Sequence, residues 1–439
     1  MSFDTLRYRN AIERSARPRV DGKLCEVLGL VLEARGCHAS IGDLFEIRAE
    51  GGRLVEAEVV GLRGGRTLLM PLGPTEGLEV GLSLRRSGKG ASARVGDAML
   101  GRVLDGLGRP IDDCGDLALS SSRPLYGASR NPLRRQPVQS PLTVGVRAID
   151  GLLTMGEGQR IGIFAGGGVG KSSLLAMMVR QARADVCVVA LIGERGREVE
   201  EFVHRTLGPE GMRHSVVVAA TSSDPPLVRA RGALLATTIA EHFRDSGKRV
   251  LLVMDSLTRF AMALREVGLA VGEPPTTKGY TPTVFAALPR LLERAGTGEK
   301  QGSITGVYTV LVEGDDLSDP IADTTRAILD GHVVLSRDLA EKGHFPAIDV
   351  PSSISRVMRD VTDSAQVEIS RQVRSLLSAY REAEDLVAIG AYQRGSLPRL
   401  DAALERMPKL EAFLRQRTDE YTGSDDVRQW LDSIFKEES

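Results

Sequence analysis

The chain is poor in several things, and each shortage removes a class of function. Only 4 cysteines occur in 439 residues (Cys25, Cys37, Cys114 and Cys187), and no two form a CxxC pair. Neither a disulfide framework nor a thiolate metal site is expected; the four read as small buried side chains in a reducing cytosol. The 6 histidines are equally dispersed. Aromatics make up 4%, too few for a wide base-stacking surface. Neither sign of charge prevails: 57 Lys and Arg stand against 58 Asp and Glu, for a net charge of −1. That balance argues against a surface built for nucleic acid. No apolar run reaches the length of a membrane span, and the N-terminus lacks the apolar core of a signal peptide. A cytoplasmic protein, able to lie against a membrane, is expected. What remains is 42% apolar and 26% charged, an ordinary globular composition. The length predicts two or three domains.

Residues 1–20 carry five arginines against two acids, with Leu6 and Ile12 between them. They read as a basic N-terminal segment, either a solvated terminus or an amphipathic helix for a partner or lipid. Over 21–95, short β-like runs broken by glycine predict a small β-barrel. GRVLDGLGRPID (101–112) and the Pro- and Gly-rich 122–141 read as a linker. Next come QRIGIF, VCVVALI, SVVVAA, RVLLVM, ITGVYTVLV and HVVLS, separated by helical stretches. Continuous apolar runs of this kind suit strands buried on both faces of a parallel sheet. An α/β core is therefore expected within 96–360. Beyond it, Ile369, Val373, Leu376, Leu377 and Tyr380, then Leu400, Leu404 and Met407, fall at helical spacing and predict a helical C-terminal domain over 361–439.

Between QRIGIF and LLAMMV lies AGGGVGKSS, residues 165–173. A strand, a glycine-rich loop ending Gly-Lys-Ser and then a helix make a phosphate-binding loop, or Walker A motif. Gly166, Gly167, Gly168 and Gly170, with Val169 among them, let backbone N–H groups point inward at a phosphate. The helix that starts at Lys171 adds its N-terminal dipole. Lys171 reaches the β- and γ-phosphates, and Ser172, followed by Ser173, offers a hydroxyl to Mg²⁺. Ala165 stands where the first glycine is usual, a position that closes the turn. RVLLVMDSLTR ends an apolar run on Asp255, at the carboxyl end of a strand, where open α/β sheets hold ligands and Mg²⁺. VCVVALIGER places Glu194 and Arg195 just past another buried strand. A carboxylate there can polarise the attacking water, and Arg195 can steady it or the phosphates. Glu198 and Glu200 read as solvated acids on the following helix.

Four long stretches carry a resemblance: ALIGERGREVEEF, residues 249–296, residues 308–340, and HFPAIDVPSSISRVM (344–358). Together they resemble the ATPase of bacterial type III export systems, flagellar or virulence-associated, which is itself similar to the catalytic subunits of rotary F- and V-type ATPases. GLVLEARG and GRVLDGLGRPID fit as well, and the likeness is weakest in 1–20 and after about 415. It implies a RecA-like P-loop core with ATP and Mg²⁺ as ligands, Glu194 as catalytic carboxylate and Asp255 on the metal side. Arg356, in SSISRVM, matches the arginine that such rings insert into a neighbour's site. Phe345 falls where the family often stacks tyrosine on adenine, and Tyr392 is a further candidate for the base pocket. The family also implies a homohexamer, a stator-like regulator at the N-terminal segment, a central stalk protein, export chaperones with their cargo, and an export gate at the inner membrane.

Other readings differ in testable features. A rotary synthase subunit resembles its family in an acidic C-terminal loop, which REAEDL (381–386) matches only in diluted form. An RNA translocase of the transcription-terminator type calls for a basic, aromatic-bearing N-terminal domain, and 21–95 has few aromatics and mixed charge. A nucleotide-binding scaffold without turnover would not need Glu194.

Overall fold

The computed structural model describes residues 22–119, 121–127, 131–312, 314 and 316–436. The basic segment expected at 1–20 lies outside them.

The chain forms two compact units. The first comprises the N-terminal strands together with Glu266–Pro274. Its six strands are β1 (Gly22–Leu28), β2 (Val31–Arg35), β3 (Asp43–Arg48), β4 (Leu54–Arg63), β5 (Arg66–Pro71) and β6 (Ser83–Gly90). They close into a barrel in the order β1-β2-β5-β4-β3-β6. Alternate residues turn inward, so Leu24, Leu32, Phe45, Ile47, Val59 and Leu69 fill the interior. Closure leaves no free sheet edge.

The second unit is built on a mainly parallel sheet. Its strands are β7 (Val103–Asp105), β8 (Arg160–Ala165), β9 (Val186–Ile192), β10 (Ser215–Ala220), β11 (Arg249–Asp255), β12 (Ser303–Leu311), β13 (Gly331–Val334) and β14 (Ile354–Ser355), with a two-residue strand, Gly296–Thr297, beside β12. The order is β14-β13-β8-β12-β11-β9-β10-β7. Every neighbouring pair along it is parallel except β13 with β14. The apolar runs read from the sequence are these central strands, and β9 and β10 are buried at every position. One expectation is corrected here. GRVLDGLGRPID is not wholly linker, because Val103–Asp105 pairs with β10 as the edge strand. Two apolar residues show no periodicity, so only the pairing reveals them. A second correction concerns the cysteines: Cys187 is buried, Cys114 is exposed and the other two are half-buried.

The C-terminal helices α3 (Ser364–Ala388), α4 (Pro398–Leu414) and α5 (Ser424–Phe435) follow α1 (Arg147–Leu152) and α2 (Lys171–Gln181). They do not separate from the sheet; both belong to one compact unit. Asp363 caps α3 by accepting the N–H of Gln366. The tie to the core is Arg147, only 2% exposed on α1. Its Nε donates to the Phe413 carbonyl at 2.8 Å, its other nitrogens reach Glu420 and the Arg415 carbonyl, and its guanidinium lies 4.6 Å from the Trp430 ring centroid. Arg147→Met would strand those acceptors. It is predicted to lower the unfolding free energy by on the order of 3 kcal/mol, read from a denaturant titration of the purified protein. A loss below about 0.5 kcal/mol, the level of an ordinary surface change, would mean that the C-terminal helices are held elsewhere.

Candidate active site

The glycine loop joins β8 to α2, where the parallel strands end. Ala165 is 2% exposed and its carbonyl accepts the N–H of Val312 at 3.0 Å, so it finishes the strand rather than facing a ligand. Gly168 and Gly170 adopt φ of 79° and 91°, in the left-handed region that glycine enters without strain. A methyl group added at Gly167 or Gly168 would meet nothing within 4 Å, so the loop arches over open space. Val169 turns into the core. Lys171 opens α2, with Ser172 and Ser173 exposed after it.

Three acids converge on that lysine. Asp255 ends β11 at 5% exposure, and Lys171 Nζ donates to its Oδ1 at 2.5 Å. The Thr309 hydroxyl, fully buried on β12, donates to the same oxygen at 2.7 Å. Glu194 follows β9 through Gly193, with Oε1 3.8 Å from Lys171 Nζ. Glu198 lies close enough to Glu194 for the two carboxyls to influence each other. Burial first, then Glu198 and the charge of Asp255, hold the Glu194 carboxyl well above its ordinary range, while Lys171 opposes them. The interaction with Glu194 leaves Glu198 below its own ordinary value. Glu198, expected on a solvated face, is exposed and also lines the site. The readable signal was its spacing of four from Glu194, but only a helix start at Gly196 brings the pair together. Arg195 is exposed at that helix start, its charge acting on Glu198.

Glu194, Glu198 and Asp255 line a cavity of about 340 Å³ with Ser172, Ser173 and Arg180. A second cavity, of about 480 Å³, adjoins it across Ser173 and Thr418. Phe345, 46% exposed, forms one wall of it; its ring lies 3.4 Å from where a Cβ on Gly170 would sit. The opposite wall is Arg415–Glu420, which the sequence reading did not single out. Gln416 pins that segment. Its N–H donates to the Phe345 carbonyl at 2.9 Å, and its side chain bonds Arg147 N at 2.9 Å and Gly145 O at 2.8 Å.

Tyr392 is not brought here, and Arg356, expected in a neighbour's site, stands away from its own loop. Tyr392 lies between α3 and α4, its hydroxyl 3.0 Å from Asp401 Oδ1, and lines neither cavity. Arg356 follows β14, and its N–H donates to the Asp330 carbonyl, level with Arg160 at the start of β8. The glycine loop leaves the far end of β8, about 17 Å along the strand. The exposed guanidinium of Arg356 donates to the Arg326 carbonyl at 3.4 Å and cannot serve its own loop.

A phosphate-binding loop above a lysine and buried acids, at the carboxyl edge of a parallel sheet, defines a P-loop nucleoside triphosphatase. Three family models match the chain: the ATP synthase alpha/beta family nucleotide-binding domain over 145–355, its beta-barrel domain over 24–88, and the T3SS EscN ATPase C-terminal domain over 362–433. The flagellum-specific ATP synthase of Pseudomonas aeruginosa is 51% identical over 98% of this chain and 96% of its own. The type 3 secretion system ATPase of Xanthomonas euvesicatoria is 49% identical over 94% of this chain and 93% of its own. Among solved structures, the assembled ATPase EscN of enteropathogenic E. coli superposes with TM-score 0.90 at 46% identity, covering 94% of this chain and 99% of that one. EscN in complex with its central stalk EscO gives TM-score 0.87 at 45% identity, over the same shares. The chain belongs to the ATP synthase alpha/beta family, in the branch of type III export ATPases, and is an ATPase that energises type III export. The match of its C-terminal helices to the EscN model does not favour a rotary synthase subunit or an RNA translocase.

Deprotonated Glu194 is the form that can take a proton from water. We predict that kcat/KM falls as pH falls through the raised value of Glu194. Glu198→Gln removes the negative neighbour, lowers the Glu194 value and shifts that acid limb to lower pH. An acid limb that does not move in the variant would remove Glu198 from the pair.

Proposed function

We propose that ATP binds with its phosphates under Gly166–Ser173 and its base between Phe345 and Arg415–Glu420. The observation that carries the reading is Lys171 poised between Asp255 and Glu194 beneath an open glycine arch. Incoming phosphates compete for Lys171, and Glu194 polarises the attacking water. Ser172 and Asp255 supply hard oxygen donors at the mouth of the cavity, a set that suits Mg²⁺. When bound there, Mg²⁺ would add positive charge against the β- and γ-phosphates.

Arg356, exposed at the opposite end of the sheet, suits a neighbour's site, so six identical copies in a ring complete one another. Such an arginine is worth about 10³–10⁵ in rate. Within type III export we favour the flagellar system, where turnover unfolds substrates or releases them from chaperones at the export gate. Four flagellum-specific relatives at 51–52% identity support that choice, while two more, at 47% and 45%, lie below the secretion-system ones. A central stalk protein is proposed from the EscN–EscO complex. A stator-like regulator is assigned to residues 1–20. The cytoplasmic face of the inner membrane is the proposed location; no helix among the described residues is long and apolar enough to cross a membrane.

Glu194→Gln is expected to keep ATP affinity within about threefold while turnover falls about 10²–10⁴-fold, and to block flagellar export in cells. Turnover equal to the parent's would end this assignment of Glu194. Normal virulence-type secretion loss with intact flagella would move the chain to the other system.

A further inference from the structure

The segment that carries Arg356 is held from two sides. On the sheet side, the Ser353 hydroxyl accepts Val334 N–H at 2.9 Å and donates to Asp349 O, while Ser355 Oγ donates to Thr154 O at 2.8 Å. The other side is α3. Arg374 donates through Nη1 to the Ser353 carbonyl, and Arg381 donates through Nη2 to Asp349 Oδ1 at 2.7 Å. Asp349 in turn holds the Ser352 N–H and hydroxyl. Seven residues separate the two arginines, so both project from one face of the helix, two turns apart.

Core packing does not require this arrangement. Arg374 is a half-buried cation spent on a single backbone carbonyl three residues before Arg356, and burial lowers its ordinary value. Around His332, whose ring meets the Ser352 carbonyl at 3.1 Å, the charges of Arg326, Arg356 and Arg374 gather at one sheet edge. Like charges repel, so an arginine side chain needs a firm anchor to keep its place in such company.

We propose that Arg374 and Arg381 are positioning residues for Arg356: from α3 they clamp residues 349–355, so that the C-terminal helices set where one copy's arginine enters the next copy's active site. This rests on the reading of Arg356 as acting between copies. A reacting group displaced by about 1 Å costs on the order of 10²-fold in rate. The loss falls on the neighbour's turnover and not on a copy's own nucleotide binding, because neither arginine lines the two cavities.

The test is subunit mixing. Arg374→Ala alone is expected to lower kcat about 10–100-fold with KM for ATP unchanged within about twofold. Mixed in equal amounts with Lys171→Ala chains, which lack a working loop but keep the clamp, activity should rise toward about a quarter of the parent's rate. That quarter is the share of seams pairing an intact loop with an intact arginine. Arg374→Lys, still able to donate to the Ser353 carbonyl, should recover most of kcat. Arg356→Ala mixed with Lys171→Ala is run alongside. Rescue of Arg356→Ala without rescue of Arg374→Ala overturns the clamp and leaves the trans arginine standing. Rescue of neither overturns the trans arginine, and the clamp with it. If Arg374→Ala does not fold, Arg381→Ala and Arg374→Gln enter the same mixture and are judged by the same outcomes.

Discussion

One cation among three acids governs this chain. Lys171 reaches Asp255 at 2.5 Å and Glu194 at 3.8 Å, and Glu198 stands behind Glu194. Burial of Glu194, with Glu198 and the charge of Asp255 beside it, outweighs the single ammonium and raises the Glu194 carboxyl above its ordinary range. The site is electrostatically unsettled without a ligand. On the proposed function, a polyphosphate would draw Lys171 to itself and leave the carboxylates to the metal and the water. Everything else in the second unit serves to hold these four side chains at the carboxyl edge of the sheet, where three different strands deliver them.

How much of this was legible depended on whether the chemistry was written as spacing. The glycine loop was, because the residues that permit its backbone path are the same ones that define the motif. Asp255 and Glu194 were, because each ends an unbroken apolar run that could only be a buried strand. Glu198 was not: its exposure pattern is that of any acidic helix face, and its partnership exists only once the helix begins at Gly196. Thr309 was hidden inside a buried strand, where a threonine ordinarily signals nothing. Val103–Asp105 and Ile354–Ser355 were too short to show a period, and pairing alone makes them strands. Arg356 carried no signal of its own; resemblance singled it out, and the fold then explains why it has no work within its own copy.

The C-terminal helices are the part whose meaning changed most between sequence and structure. Read as a helical C-terminal domain, they pack in one compact unit with the sheet. Arg147 packs its guanidinium on the Trp430 ring, Gln416 fastens the segment between α4 and α5 to Phe345, and Arg374 and Arg381 reach the segment before Arg356. Gln416 lines the cavity proposed for the base, and Arg374 and Arg381 touch the arginine edge. On the proposed function, a displacement of these helices alters both what a copy binds and what it lends to its neighbour.

The central claim is that each active site is completed by the next copy. The most direct measurement is a structure of the assembled protein with ADP and a metal-fluoride mimic of the transferring phosphoryl group. The account predicts the mimic beneath the glycine arch, with a neighbouring copy's Arg356 guanidinium within hydrogen-bonding distance of it. A mimic bound there with every Arg356 turned to solvent, or nucleotide held away from residues 166–173, would contradict it.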